Sequence, residues 1–260
     1  MTMSIALIGF GEAGSTFAAA MACGCSAYDR KTDDPVARTA MQASMAAAGA
    51  VACTTPGDAL AGADVVLSLV TAGEALAAAR AAAPLLAPGA LWIDMNSVAP
   101  DSKRRAAAAI EAAGGRYVDA AIMAPVQPSA LSVPVLLSGL HAGGAASALA
   151  EAGFLKLGIV GAEVGRAATI KMLRSVMIKG IEALTAEMML AARLAGVDGD
   201  VLASLGEDWA RRADYNLERM RAHGARRAAE MEEVASTLEA LGVEPLMTRA
   251  TVARQREMAE

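Results

Sequence analysis

The hexapeptide Gly9-Phe10-Gly11-Glu12-Ala13-Gly14 has the spacing GxGxxG and closes an apolar run, SIALIG, over 4–9. Glycine at the first position lets the chain turn sharply. At the second it lets a pyrophosphate approach the backbone, and at the third it packs a helix against a strand. The N–H groups at the start of the following helix then meet the phosphate charge. The Glu12 side chain is expected to turn away from the phosphates, toward solvent or a second domain. Asp29 ends the next apolar run, about 20 residues on, where a carboxylate accepts hydrogen bonds from ribose hydroxyls. That carboxylate favours NAD and repels the 2′-phosphate of NADP. Arg30 and Lys31 follow at once, either to embrace such a phosphate or to front a solvated turn. The pattern predicts a dinucleotide site, with NAD slightly favoured.

A second polar constellation lies far along the chain. Lys171, Ser175 and Lys179 are spaced four apart, so they share one helical face, and Arg174 stands beside them. Apolar Met172, Leu173, Val176 and Ile178 fall between. A polar stripe in an apolar helix faces water, a partner or a ligand, and these side chains suit a carboxylate or phosphate. His223, Arg227 and Glu230 are spaced four and three apart, with Arg226 adjacent. They form a second such face if a helix runs back past Gly224; the alternative is a surface ion-pair ladder. His141 has no assigned role, and Met188 and Met189 read as core.

These residues need elements to hold them. Short apolar runs at 4–9, 25–29, 51–53, 63–70, 91–94 and 117–119 alternate with alanine-rich helical segments, the first over 13–23. Strands alternating with helices of roughly 10–15 residues give a parallel, doubly wound sheet. Near residue 160 the rhythm changes. A proline-free helical pattern runs from Arg166 to Ala195, with Gly196 as its stop, and further helical runs follow at 207–221, 226–241 and 247–258. The fold class is therefore α/β: a doubly wound parallel sheet over 1–163, then an all-α C-terminal domain over 164–260, with the long helix as hinge.

Composition excludes several classes. The 260 residues are 55% hydrophobic and 20% charged, which builds a core rather than a disordered chain. A net charge of −5 lacks the basic field of a nucleic-acid binder. Mean hydropathy is +0.39, but charges or prolines break every long apolar stretch before the ~20 residues of a membrane span. The N-terminal MTMSIALIGFG has no basic segment and too short an apolar run for a signal peptide. Cys23, Cys25 and Cys53 form no CxxC pair, so a reducing cytoplasm is the default and metal or redox chemistry at Cys23 and Cys25 is a minor reading.

The segment IDMNSVAP over 93–100, the glycine loop and Lys171 together resemble the β-hydroxyacid dehydrogenase superfamily, which includes 3-hydroxyisobutyrate, tartronate-semialdehyde and 6-phosphogluconate dehydrogenases. The resemblance implies a Rossmann-type first domain and hydride transfer between NAD or NADP and a small, anionic hydroxy or oxo acid. It implies a homodimer; no metal is expected, since the sequence offers no metal-ligand cluster, and charge and hydropathy already argue against nucleic acid and membrane. By the same resemblance, Lys171 is the proton donor or acceptor at the substrate oxygen. A lysine whose pKa is lowered by desolvation suits that task. Asn96, Ser97 and Ser175 would position the substrate, with Met123, Arg174, Lys179, His223 and Arg227 completing its pocket. Asn96 would also touch the cofactor, as would Val70 and Thr71 after the fourth strand. The GIVGAEVG stretch over 158–165 reads as the family's glycine-rich loop before the long helix. Two departures bear on the substrate: Ser175 replaces a family asparagine, and Met123-Ala124-Pro125 replaces a glycine pair. The pattern KxxRSxxxKG over 171–180 is similar to a subgroup with a shortened helical domain. An imine or ketone reductase on the same scaffold, or a dinucleotide-binding regulator without turnover, are the alternatives.

Overall fold

The computed structural model describes residues 3–259; Met1 and Thr2 of the N-terminal stretch, and Glu260, lie outside them. The strands are β1 (Ile5–Ile8), β2 (Cys25–Tyr28), β3 (Ala50–Ala52), β4 (Val65–Ser68), β5 (Leu91–Asp94), β6 (Arg116–Ile122), β7 (Val135–Ser138) and β8 (Leu157–Gly161). They form one sheet in the order β3-β2-β1-β4-β5-β6-β7-β8. From β3 to β6 all neighbours are parallel, β7 runs antiparallel to β6, and β8 is parallel to β7. Every residue of β1, β4 and β5 is buried, which is what a parallel sheet covered on both faces requires.

The covering helices are α1 (Glu12–Ala20), α2 (Pro35–Ala47), α3 (Pro56–Leu60), α4 (Ala75–Ala82), α5 (Pro100–Ala112) and α6 (Ala142–Glu151). Proline opens α2, α3 and α5, where its missing N–H costs nothing. Asp34 and Thr55 cap α2 and α3 through their side chains. One face of the sheet packs Leu7, Leu67, Ile93, Val118 and Leu137 against Phe17 of α1, Met45 of α2 and Leu149 of α6. The opposite face packs Ile8, Val66, Trp92 and Tyr117 against Leu60 of α3, Ala79 of α4 and Ile110 of α5.

Two strands depart from the sequence reading. Val135–Ser138 was not anticipated, and the GIVGAEVG stretch is a loop only at its end, because Leu157–Gly161 pairs with β7 as an edge strand. None of its residues is fully buried, and it holds two glycines, so it carries no apolar alternation for the eye to catch.

Contacts divide the chain into two units, one ending at Lys171 and the other beginning at Met172. The division runs through α7 (Arg166–Ala195), whose bounds coincide with the long helix expected from sequence. The second unit continues with α8 (Asp198–Leu205), α9 (Trp209–Ala240) and α10 (Leu246–Glu257). Its core joins Ala186, Met189, Leu217 and Met220 in one cluster and Met172, Met231, Val234 and Val252 in another. The two helical runs expected at 207–221 and 226–241 are a single helix, unbroken at Gly224. A Cβ there would stand 2.4 Å from the carbonyl oxygen of Gln255 and 2.8 Å from Cβ of Ala259. That glycine lets α10 lie close against α9 and does not end the helix. Among the described residues, no helix is long and apolar enough to cross a membrane.

Candidate active site

The glycine loop joins β1 to α1, and its three glycines are in unlike surroundings. Gly9 has φ of +97°, its N–H donates to the Tyr28 carbonyl at 2.8 Å, and an added Cβ would stand 2.5 Å from the Leu69 carbonyl oxygen. At Gly14 a Cβ would stand 2.6 Å from the Gly9 oxygen, so α1 rests on the turn itself. Around Gly11 a Cβ would meet no atom of the described residues within 4 Å. Gly11 is also the N-cap of α1, and no side chain caps the first turn. A helix start with unspent N–H groups, a positive dipole end and open space beside it suits a pyrophosphate. Glu12 is exposed in that first turn, where its charge favours the helix dipole. Phe10 is buried and Ala13 half-buried.

Asp29 stands directly after β2 and fastens two segments. Its Oδ2 accepts the Phe10 N–H at 2.8 Å and its Oδ1 accepts the Lys31 N–H at 2.9 Å. Each carboxylate oxygen has a second lone pair, so the group can still receive ribose hydroxyls. Arg30 Nη1 lies 2.7 Å from Glu74 Oε1. Glu74 ends the short 3-10 turn Ala72–Glu74 that follows β4, and its N–H donates to the Thr71 carbonyl. Thr71 is exposed and Val70 half-buried. Because β1 lies between β2 and β4 in the sheet, the Arg30–Glu74 pair links the turns on either side of the glycine loop.

A row of polar side chains, absent from the sequence reading, crosses the sheet at the ends of the strands. Strand register sets Ser68 of β4 opposite Asp94 of β5, Asp94 opposite Asp119 of β6, and Asp119 opposite Ser138 of β7. All four are fully buried, and so is Lys103 of α5. Lys103 Nζ donates to the Asp94 carbonyl at 2.6 Å and to Asp94 Oδ1 at 2.9 Å, and it faces Asp119 Oδ1 at 3.4 Å. Tyr117 donates its phenol to Asp94 Oδ2 at 2.7 Å. Burial, and then the Asp94 charge, hold that phenol well above its ordinary pKa, so it remains a donor. Two carboxylates around one ammonium need this many donors, since an unpaired buried charge is costly. One sequence signal existed: Lys103 lies on the stripe Lys103, Ala106, Ala107, Ile110, which is otherwise apolar.

This row orients two of the expected site residues. Asn96, two residues beyond β5, is buried; its Nδ2 donates to Asp94 Oδ1 at 2.8 Å and to Ser68 Oγ at 2.9 Å. Its backbone N–H also donates to Asp94 Oδ1. Its Oδ1 is buried without a hydrogen-bond partner among the described residues. On the far side of the row, Asp119 Oδ2 accepts N–H groups from Gly165 at 3.1 Å and Ala168 at 3.0 Å, while Ser138 Oγ accepts that of Ala167 at 3.0 Å. Two strand side chains therefore cap the first turn of α7. Lys171 follows three residues later and is half-buried. Ser97 and Met123 are half-buried at the ends of β5 and β6, and the Met123 N–H donates to the Pro134 carbonyl.

The remaining expected residues lie on α7 and α9 of the second unit. Lys179 Nζ is 2.6 Å from Glu230 Oε2; burial pushes its pKa down, and the glutamate opposes the shift. Arg227 forms a buried ion pair with Glu182, whose Oε2 also accepts from Gln255 Nε2 at 3.1 Å. Among the described residues, Arg227 Nε and Gln255 Oε1 are buried without hydrogen-bond partners. Lys179 and Arg227 are thus brought together with carboxylates, and Glu182 had no part in the sequence reading. Ser175 and His223 are half-buried, and Arg174 is exposed. Burial raises the Cys25 thiol to about 11, which keeps it protonated and unreactive. No group of three or more His, Cys, Asp or Glu among the described residues is placed to hold a metal ion.

Comparison with known proteins follows the same division. Residues 4–139 match the family model described as the NAD binding domain of 6-phosphogluconate dehydrogenase, and residues 192–258 match a domain of unknown function, DUF1932. A conserved hypothetical protein from Sinorhizobium meliloti 1021 is 42% identical, over 98% of this chain and 88% of that one, with a TM-score of 0.77. The conserved protein MTH1747, described as structurally similar to 3-hydroxyacid dehydrogenases, is 30% identical over 98% and 96%, with a TM-score of 0.75. The Mycobacterium tuberculosis 3-hydroxyisobutyrate dehydrogenase shares the fold, with a TM-score of 0.80 at 20% identity over 100% of this chain and 95% of that one. No curated protein matches. A family model spanning more than half the chain, and full-length relatives of this similarity, make it a member of the β-hydroxyacid dehydrogenase superfamily with a short C-terminal helical region.

Proposed function

We propose that this protein is an oxidoreductase that interconverts a small hydroxy acid and its oxo acid with a nicotinamide dinucleotide. The observation that carries the reading is the uncapped glycine loop, open around Gly11 and fastened to Asp29. The buried, unpartnered Oδ1 of Asn96 adds a fixed acceptor at the ends of the same parallel strands, where open α/β sheets bind their ligands. When bound, the dinucleotide accepts or supplies the hydride. The protein's own residues do the rest. Gly9 to Gly14 hold the pyrophosphate, Asp29 the adenosine ribose, and Val70, Thr71 and Asn96 the nicotinamide side. Lys171 takes the proton from the substrate hydroxyl as it is oxidised, or returns it on reduction. Ser97 and Met123 are the proposed substrate contacts in the first unit. Arg174, Ser175 and His223 belong to the second unit, where Lys179 and Arg227 already carry glutamate partners.

The test begins with fluorescence titrations of NADH and NADPH, where a dissociation constant in the micromolar range is expected for at least one. A panel of hydroxy acids, oxo acids and cyclic imines is then screened with that dinucleotide. Lys171→Ala is expected to keep dinucleotide affinity within about twofold and to lower turnover about 10²- to 10⁴-fold. Turnover that survives Lys171→Ala removes the lysine from the reaction, and turnover of imines alone replaces the hydroxy-acid reading. Binding of neither dinucleotide overturns the proposal at its base.

A further inference from the structure

We propose that Glu74 selects between the two nicotinamide dinucleotides by competing with a 2′-phosphate for Arg30, an inference that rests on the dinucleotide reading above. Arg30 directly follows Asp29, whose carboxylate is bonded to the Phe10 N–H of the glycine loop at 2.8 Å. A ribose received by Asp29 presents its 2′ position beside residue 30, where a guanidinium would embrace a phosphate. Arg30 instead points across the loop to Glu74 Oε1, 2.7 Å away.

The neighbouring charges favour the same outcome. Around this corner Asp29, Asp33, Asp34 and Glu74 outnumber Arg30, Lys31 and Arg38 by one. Arg38 is committed to the backbone, donating from Nε to the Thr32 carbonyl at 2.6 Å and from Nη2 to that of Asp33 at 3.4 Å. Tyr28 donates to Asp33 at 2.8 Å. Removing the Glu74 charge balances the corner and leaves Arg30 without that competitor. The ion pair is substantially exposed, with 70% of the Arg30 and 42% of the Glu74 side chain accessible. A pair so solvated is weak, so Glu74 acts as a competitor for the guanidinium and a repulsive neighbour for a phosphate, not as a lock. Neutralising it is a surface change on a short turn, and the packed sheet beneath is untouched.

Fluorescence titrations of the full chain with NADH and with NADPH, at low and high salt, test the assignment. Glu74→Gln is expected to tighten NADPH binding about tenfold and to leave NADH within about twofold. The gain should shrink at high salt, as screening of an exposed pair demands. The double variant Arg30→Ala/Glu74→Gln should lose the gain. Unchanged NADPH affinity in Glu74→Gln, or a gain that persists without Arg30, overturns the role of Glu74 while the dinucleotide site stands. Binding of neither dinucleotide by the unmodified protein removes the dinucleotide reading and this proposal together.

Discussion

Lys103 shows how one side chain can organise a site it does not touch. Its ammonium sits between Asp94, which fixes the Asn96 amide, and Asp119, which holds the start of α7. Lys103→Met leaves two carboxylates buried with no counter-charge and is expected to destabilise the protein by about 3–5 kcal/mol, read by urea unfolding. Adding Asp119→Asn should recover part of that loss, since the amide oxygen can still accept from Gly165 and Ala168. At this scale the glycine loop and Asp29 were legible in the sequence because their work is local, confined to one turn and the strand beside it. Lys103 was not, because its partners come from two strands brought together only by the sheet. Likewise the lysine and arginine of the second unit could be read as charges, but not as charges already answered by Glu230 and Glu182.

Among the elements, α9 makes the clearest case. Its 32 residues pass through Gly224, at which the sequence reading left open whether one helix or two would form. Substituting alanine would gain up to about 1 kcal/mol of helix propensity, but the new Cβ would stand 2.4 Å from the Gln255 carbonyl. A backbone atom cannot step aside as a side chain can, so the clash prevails. Gly224→Ala is expected to lower stability by about 1–3 kcal/mol, seen as a fall in the thermal midpoint by circular dichroism. The long helix α7 was readable to its last residue because thirty residues of uninterrupted periodicity admit no other structure. The strands β7 and β8 were not, since four or five residues with glycine and serine carry almost no periodic signal.

Across the whole molecule, the class of fold was fixed by alternation alone: a parallel sheet first, then helices. How charge is distributed inside that fold is visible only in the folded structure. Lys179 illustrates the consequence for stability. Burial holds its folded pKa below the ordinary 10.5, so between those two values the unfolded chain binds more protons than the native one. Stability contributed by this group therefore rises as pH increases through that window and levels off above about 10.5. Lys179→Met should abolish the rise, which urea midpoints measured at stepped alkaline pH would show. A midpoint that climbs equally in the variant would assign the effect to another group.

The cap on α7 fixes an angle as well as a position. Each residue turns a helix by about 100°, so the direction in which Lys171 leaves its axis is inherited from the residues that anchor the first turn. Those anchors, Asp119 and Ser138, belong to strands, and their register is set by hydrogen bonds running across the sheet to β4. The azimuth of the lysine is therefore written in the sheet. A single residue inserted between Ala168 and Lys171 would spare the glycine loop, the polar row and the cap, and still swing the ammonium more than a quarter turn aside.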